Sequence, residues 1–548
     1  MIVKKINFMQ VLNDLAYSYK RFILLALSGV LTGFTLVIPS VGFLQWVTLI
    51  PAGVMLLIRA SDTKIRFRSL YLDGLAFFYS YYLICFHWFT YLYPLDFVGG
   101  MTKGGALAVV LVAWFGLSLL QALMGALVFV VAGGVCRCSL CDRTSILKPL
   151  LVAGLWSVSE WSQTFGWWGV PWGRLPIGQS EYVIGLQNAS LFGSYFVTFV
   201  LVAVNMLFAY ALINSERIKL GVILAVVLVV FQYSSGALIY LLNDPCEGEK
   251  IKVACIQGNI SSGEKWNSEK LTKIFSVYDE YTAEAAAEGA ELVIWPETAV
   301  PYNIDTVAPY FSEQFAYMAK TYNVYLLVGA YVGDGEGNDL NSLICFTPEG
   351  ERIDDVYSKR HLVPFGEYVP LRSLIELLVP PLAELVLSES DIVAGSGAQI
   401  IELDNGIALG GLICFDSIYE ELPRESVNAG AELICLSTND SWFRDSAAVY
   451  MHNAQAQIRA IENGKYIARA ANTGISTVIN SRGEVICQLD ALEEGYVICD
   501  VYANSGRTLF GIIGNSFVYL LVALYGILMV SDIYEKTGLK NKKEDDTV

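Results

Sequence analysis

Hydrophobic patterning divides the chain into two textures. Before Pro245 polar residues only interrupt long apolar runs, which fall at 22–39, 41–58, 69–93, 105–133, 147–165, 184–213 and 220–242; an eighth lies at about 510–531. Each approaches the ~20 residues that carry a helix across a bilayer core, so the pattern predicts about eight spans. The first two runs meet around Pro39-Ser40 and read as a tight helical hairpin. Basic residues cluster in alternate connections: Lys4, Lys5, Lys20 and Arg21; Arg59, Lys64, Arg66 and Arg68; Arg137, Arg143 and Lys148; Arg217 and Lys219; and, after the eighth run, Lys536, Lys540, Lys542 and Lys543. The intervening loops, such as 93–104, are nearly free of them. The positive-inside rule then puts both termini in the cytoplasm and the long stretch between the seventh and eighth runs outside it.

That long stretch, about 250–502, has the short alternating segments of a soluble α/β domain. Strands are predicted at 251–257, 291–295, 325–329, 342–346, 432–436, 466–470, 476–480 and 495–500, with helices at 267–288 and 447–462. Pro348-Glu-Gly350 marks a hairpin turn. The organisation that follows is an N-terminal membrane domain over 1–244, an α/β domain over 245–505, and a last span with a cytoplasmic tail over 506–548. The length of the middle domain suffices for one complete core.

Composition sharpens this picture. The chain is 54% hydrophobic and 16% charged, which suits a multi-pass membrane protein. The net charge of −17 argues against a nucleic-acid partner, which needs a basic face. The first apolar run is long and leads straight into the second, which is not the pattern of a cleavable signal peptide. The eleven cysteines show no regular disulfide framework, and the tight cluster Cys136, Cys138 and Cys141 lacks a second ligand pair at zinc spacing, so no metal is expected. One outer loop, 166–176, is rich in Trp and turn residues; it reads either as an interfacial aromatic belt or as a lipid contact beside an active site. Glu160 just before it must avoid lipid and face the protein interior or the interface.

Three short stretches carry the candidate chemistry. Gly406 to Ile413 reads as a buried strand that delivers Cys414 at its end, followed by Asp416 and a helix-like segment 417–428 whose N-terminal amides would favour thiolate. Ile294-Trp-Pro-Glu297 is a strand stopped by proline at a carboxylate. Tyr357 to Tyr368 supplies Lys359 and then Glu367. A thiol near its free pKa of ~8.5 is mostly protonated at neutral pH and gains from a neighbouring base and an oxyanion-stabilising cation.

In the order Glu, Lys, Cys these stretches resemble the nitrilase superfamily. With seven spans before the domain and one after it, nearly the whole chain resembles the membrane-embedded branch, the apolipoprotein N-acyltransferase family. Gln257-Gly-Asn-Ile260 with Trp266, Ser437-Thr-Asn-Asp-Ser-Trp442, Arg459-Ala-Ile-Glu462 and Asn472-Thr-Gly474 extend the match. The family's Tyr-Glu after the nucleophile is here Phe415-Asp416, which keeps a ring and a charge but changes both arms.

The resemblance implies an αββα sandwich outside the cytoplasm, held in the cell inner membrane, that needs no cofactor. Cys414 would be the nucleophile, Glu297 the base and Lys359 the oxyanion partner. Glu367, Phe415 and Asp416 would support them, and Trp266, Trp172 and Trp442 would bind substrate. His361 and His452 fall outside the triad and read as structural. The implied reaction moves an acyl chain from a phospholipid, typically phosphatidylethanolamine, through a thioester to the α-amine of the S-diacylglyceryl cysteine of an apolipoprotein. The alternative is a membrane-anchored amidohydrolase with water as acceptor, and behind it a transporter or lipid sensor with an inert outer domain. The apolar run 371–387 favours the first, as a segment that covers a lipid entrance.

Overall fold

The computed structural model describes residues 8–95, 101–265, 268–378 and 392–545. The chain forms two compact units: one of Met1–His87, Val112–Ile239 and Ile513–Val548, the other of Trp88–Leu111 and Tyr240–Ile512.

The first unit is helical. Six helical stretches among the described residues are long and apolar enough to cross a membrane: Lys20–Val37, Pro39–Ser61, Lys103–Cys136, Ser194–Ile213, Ile218–Leu242 and Ser516–Thr537. Two predicted spans fall short of that standard. The helix Phe67–Cys85 carries Asp73, whose carboxylate is clamped by Arg21 at 2.8 Å and Arg59 at 2.6 Å. The helix Leu147–Ser162 has only 16 residues. The predicted run 184–213 is interrupted at Gly193, whose φ of 79° needs glycine, and its long helix starts at Ser194. Glu160 is buried, as its cost in lipid required. It accepts hydrogen bonds from the Leu175 N–H at 3.0 Å and the Thr198 hydroxyl at 2.5 Å.

The second unit is a two-sheet sandwich. The first sheet holds β1 (Glu249–Gln257), β2 (Leu292–Ile294), β3 (Val300–Asn303), β4 (Tyr325–Gly333), β5 (Asp339–Phe346), β6 (Tyr357–Ser358) and β13 (Gly495–Ala503), in the order β13-β1-β2-β4-β5-β6 with β3 beside β4. The second holds β7 (Ile400–Glu402), β8 (Ala408–Ile413), β9 (Leu433–Thr438), β10 (Ile467–Ala471), β11 (Ser476–Ile479) and β12 (Val485–Leu489), in the order β12-β11-β10-β9-β8-β7.

Alternation along β1 makes the layers. Ile251, Val253 and Cys255 join Leu409, Ile413, Leu433 and Ala468 in the core between the sheets, while Ala254 and Ile256 pack with residues of the helices Leu271–Ala287 and Tyr310–Tyr322. Burying each large apolar side chain contributes about 1.5–3 kcal/mol, so both faces of the sheet are anchored. Trp295 is fully buried in the helix-facing core, stacked on Tyr278 with centroids 4.8 Å apart, and its indole N–H donates to Thr282 at 2.9 Å. That anchor fixes the chain two residues before Glu297. Cys487 and Cys499 form a disulfide between β12 and β13, a pair that the spacing of the cysteines did not reveal.

Candidate active site

Glu297, Lys359 and Cys414 each follow the end of a strand: β2, β6 and β8. Glu297 sits in a turn pressed against β4, where a Cβ on Gly329 would lie 2.4 Å from the Pro296 carbonyl oxygen, so only glycine permits the approach. Lys359 is fixed through its backbone: its N–H donates to the Asn341 carbonyl at 2.8 Å and its carbonyl accepts the Gly395 N–H at 2.8 Å. Cys414 has φ 50°, a left-handed conformation that costs a non-glycine residue energy. Thr298 (φ 44°) and Phe365 (φ 62°) share this strain, one beside Glu297 and one in the loop before Glu367.

Lys359 Nζ lies 2.9 Å from Oε1 of Glu297 and 2.9 Å from Oε1 of Glu367. Asn341 Nδ2 donates to the same two oxygens, at 2.9 and 3.3 Å. Oε2 of Glu297 accepts the Asn439 N–H at 2.9 Å, and Oε2 of Glu367 accepts the Val363 N–H at 2.8 Å. Glu297 and Lys359 are buried, 6% and 2% exposed. Burial opposes the charge on each, but their mutual attraction wins. Glu297 is held below the usual carboxylate range by Lys359 and Lys265, and Lys359 is pushed well above the usual lysine range by Glu297 and Glu367.

Cys414 keeps partial exposure, and its thiol is pushed up by burial and then by the Glu297 charge, against the pull of Lys359. The predicted helix N-terminus beside it is absent. Cys414–Ile418 form a 3-10 turn, and the α-helix starts only at Glu421. The expected thiolate-favouring dipole is therefore missing, and burial pushes the thiol up instead.

Two participants were not predicted. Lys265 is buried, donates to the Glu297 carbonyl at 2.8 Å, and is pushed down to about 8 by burial, with the charges of Glu297 and Cys414 resisting. Asn341 bridges the two acids. Of the supporting residues, Glu367 pairs directly with Lys359. Asp416 is fully buried and gathers the neighbouring loop: it accepts the N–H groups of His361 (2.8 Å), Arg360 (3.3 Å) and Ile413 (3.2 Å) and the Tyr357 hydroxyl (2.9 Å). Burial pushes it up to about 6. Phe415 is 9% exposed and packs edge-on against Tyr419, on which His361 also stacks. Trp442 is half-buried in the turn after Asn439. Trp172 is buried in the helical unit. Trp266 lies outside the described residues, as does the apolar run beyond Leu378. Before that point Leu371 and Leu377 stand 57% and 78% exposed.

Residues 252–509 match the carbon-nitrogen hydrolase family model, which defines the class of the sandwich unit. Residues 28–207 match the N-terminal domain model of apolipoprotein N-acyltransferase. Curated proteins named apolipoprotein N-acyltransferase are similar over most of the chain. The one from Geobacter metallireducens is 31% identical, covering 92% of this chain and 94% of its own. The one from Gloeobacter violaceus is 32% identical, covering 88% of each. Among solved structures, an amidase from Nesterenkonia sp. is 19% identical with a TM-score of 0.37, covering 47% of this chain and 93% of its own. The chain belongs to the apolipoprotein N-acyltransferase family.

Proposed function

We propose that the acyl transfer runs through a thioester on Cys414. As the ester carbonyl of a phospholipid, typically phosphatidylethanolamine, approaches the sulfur, Glu297 takes the thiol proton and Lys359 stabilises the oxyanion. Collapse expels the lysophospholipid, whose leaving oxygen takes the proton from Glu297. The α-amine of an S-diacylglyceryl apolipoprotein then attacks the thioester, gives its proton through Glu297 to the departing sulfur, and leaves as the amide. The observation that carries the mechanism is one cation, Lys359, shared between the buried Glu297 and the half-buried Glu367, with the Cys414 thiol pushed up by burial and by the Glu297 charge. A high thiol pKa next to a depressed carboxylate makes proton transfer uphill until the acyl carbon is in place, so the thiol is spent only on bound substrate.

The test separates acyl transfer from hydrolysis, the reading that the carbon-nitrogen hydrolase match keeps open. Purified protein with phospholipid alone should release a burst of about one equivalent of lysophospholipid and then stall, because a site closed to water preserves the thioester. A diacylglyceryl-cysteine peptide should restart turnover. Steady release of fatty acid without acceptor would establish the hydrolase instead.

Lys265 tunes the base in this scheme. Lys265→Met removes a positive charge that holds Glu297 down, so Glu297 rises and the acid limb of the kcat/KM profile moves to higher pH. An unmoved limb would remove Lys265 from the electrostatics of the site.

We also infer that the sandwich unit faces away from the cytoplasm, with the chain in the cell inner membrane; the alternation of basic loops supports it. Glu336 is in an exposed turn. A Glu336→Cys variant, on a background whose exposed Cys246 is replaced, should react with a membrane-impermeant thiol reagent in intact cells with a permeabilised outer layer. Reaction only after lysis of the inner membrane would reverse the orientation.

A further inference from the structure

The acyl-transfer scheme makes no use of a buried row of side chains that reaches the main chain of Cys414. His452 is fully buried on the helix Ala447–Asn463. Its Nε2 lies 3.1 Å from the Cys414 carbonyl oxygen and 2.9 Å from Ser417 Oγ. The Ser417 hydroxyl donates to the same carbonyl at 2.9 Å. On the other side of the ring, Nδ1 lies 3.0 Å from Asp440 Oδ1 and 3.2 Å from Arg469 Nη2. Arg469 pairs with Asp440 at 2.5 Å, and Thr438 donates to Asp440 Oδ1 at 3.1 Å. Gly474 is packed so closely that a Cβ there would meet Asp440 Oδ2 at 2.2 Å, which fixes the carboxylate from behind.

Counting protons in the contacts at Cys414 places a proton on Nε2. Asp440 is fully buried, yet the charges of Arg469 and His452 hold it well below the usual carboxylate range, so it meets the ring and Arg469 as an acceptor. An unprotonated Nε2 would turn a bare lone pair toward the Cys414 carbonyl, also an acceptor. The single proton of Ser417 cannot serve both. A protonated Nε2 satisfies the contacts at Cys414: Nε2–H and the Ser417 hydroxyl both donate to the same carbonyl oxygen. Cys414 needs such a hold, because its φ of 50° relaxes toward ordinary values unless the carbonyl is pinned.

Resting on Cys414 as the nucleophile, we propose that His452, held in place by Asp440 and Arg469, is a positioning residue that pins the Cys414 carbonyl through Nε2–H and so aims the sulfur at the acyl carbon. It acts on the nucleophile's backbone and touches neither substrate nor the moving proton.

The experiment compares His452→Leu with His452→Gln, whose amide N–H can replace the Nε2 donor without a ring or a charge. Readouts are the burst rate of lysophospholipid release, KM for phospholipid, and the alkylation rate of Cys414 by iodoacetamide, on detergent-purified full-length protein. His452→Leu should slow the burst about 10- to 100-fold, the weight of one hydrogen-bond donor taken from a buried carbonyl, with KM unchanged. His452→Gln should regain most of that loss at equal Tm. A wild-type burst in His452→Leu overturns the proposal, and so does a His452→Gln as slow as His452→Leu. If His452→Leu does not yield folded protein, His452→Gln against wild type decides: alkylation within about fivefold supports the pin, and a larger loss overturns it. Failure of the nucleophile assignment itself would look different, since wild-type protein would then carry no acyl group on Cys414.

Discussion

Cys414→Ala protein incubated with phospholipid is expected to carry no acyl adduct and to release no lysophospholipid, a fall of at least ~10⁴ in turnover. No other side chain in the cluster can form the covalent intermediate: Glu297 and Lys359 are tied to each other, and Lys265 is spent on a backbone carbonyl. Loss of one sulfur at a partly exposed position leaves only a small void, so the protein should fold and the loss is chemical. Cys414→Ser should keep a trace at most. A hydroxyl is far harder to deprotonate than a thiol, and the site already pushes the thiol up. Intact-protein mass spectrometry reads the adduct directly, and wild-type turnover by the Ala variant would remove Cys414 from the chemistry.

Lys359→Met should be nearly as damaging, for two separable reasons. Loss of the oxyanion partner alone costs ~10²–10³ in rate. The substitution also leaves the buried Glu297 and the half-buried Glu367 without their shared cation, and unpairing a buried ion costs about 3–5 kcal/mol of stability. The sign of the pH dependence follows. In the wild type the Glu297 pKa is depressed, so its contribution to stability is present above its unfolded value and is lost as pH falls through the folded one. Without Lys359 burial dominates, the folded pKa rises above the unfolded value, and the variant loses stability as pH rises. Thermal unfolding in detergent at acid and neutral pH should therefore move in opposite directions for the two proteins. Lys265, itself pushed down to about 8, offsets this only in part. A Lys359→Met protein whose stability follows the wild-type pH trend would show that Lys359 does not set the charge of the two acids.

What was legible in the sequence was whatever had period and contrast. Uninterrupted apolar runs marked the helical unit, and two apolar strands ending near Glu297 and Cys414, with the stretch that supplies Lys359 and Glu367, marked the site. The elements that escaped were short or half-exposed: β3, β6 and β7 have four residues or fewer, and β12 alternates partly buried with exposed positions, so neither length nor hydrophobicity distinguishes them from loop. The helix Tyr310–Tyr322 had a signal that went unread, the left-handed Asn323 at its C-terminus with φ 53°. Lys265 and Asn341 escaped for another reason. A lysine in a polar stretch and an asparagine entering a strand look like surface residues, and only the folding of distant segments turns them inward onto Glu297. The positive φ of Cys414 leaves no trace in composition at all. The helix amides expected to favour thiolate are missing because the chain after Cys414 makes a 3-10 turn before its helix begins.

The pairing of β1 with β13 bears on how such a chain was assembled. Their register runs antiparallel from Glu249 opposite Ala503 to Gln257 opposite Gly495. The strand by which the chain enters the first sheet and the strand by which it leaves are neighbours, so the two ends of some 250 residues emerge side by side. Ends placed this way meet the geometric requirement for insertion into another chain. Such a module can be spliced into a loop of a host chain without stretching that loop, because its ends demand no more separation than two adjacent strands, ~5 Å. The same closure makes the module a natural unit for excision or for transplantation between helical hosts.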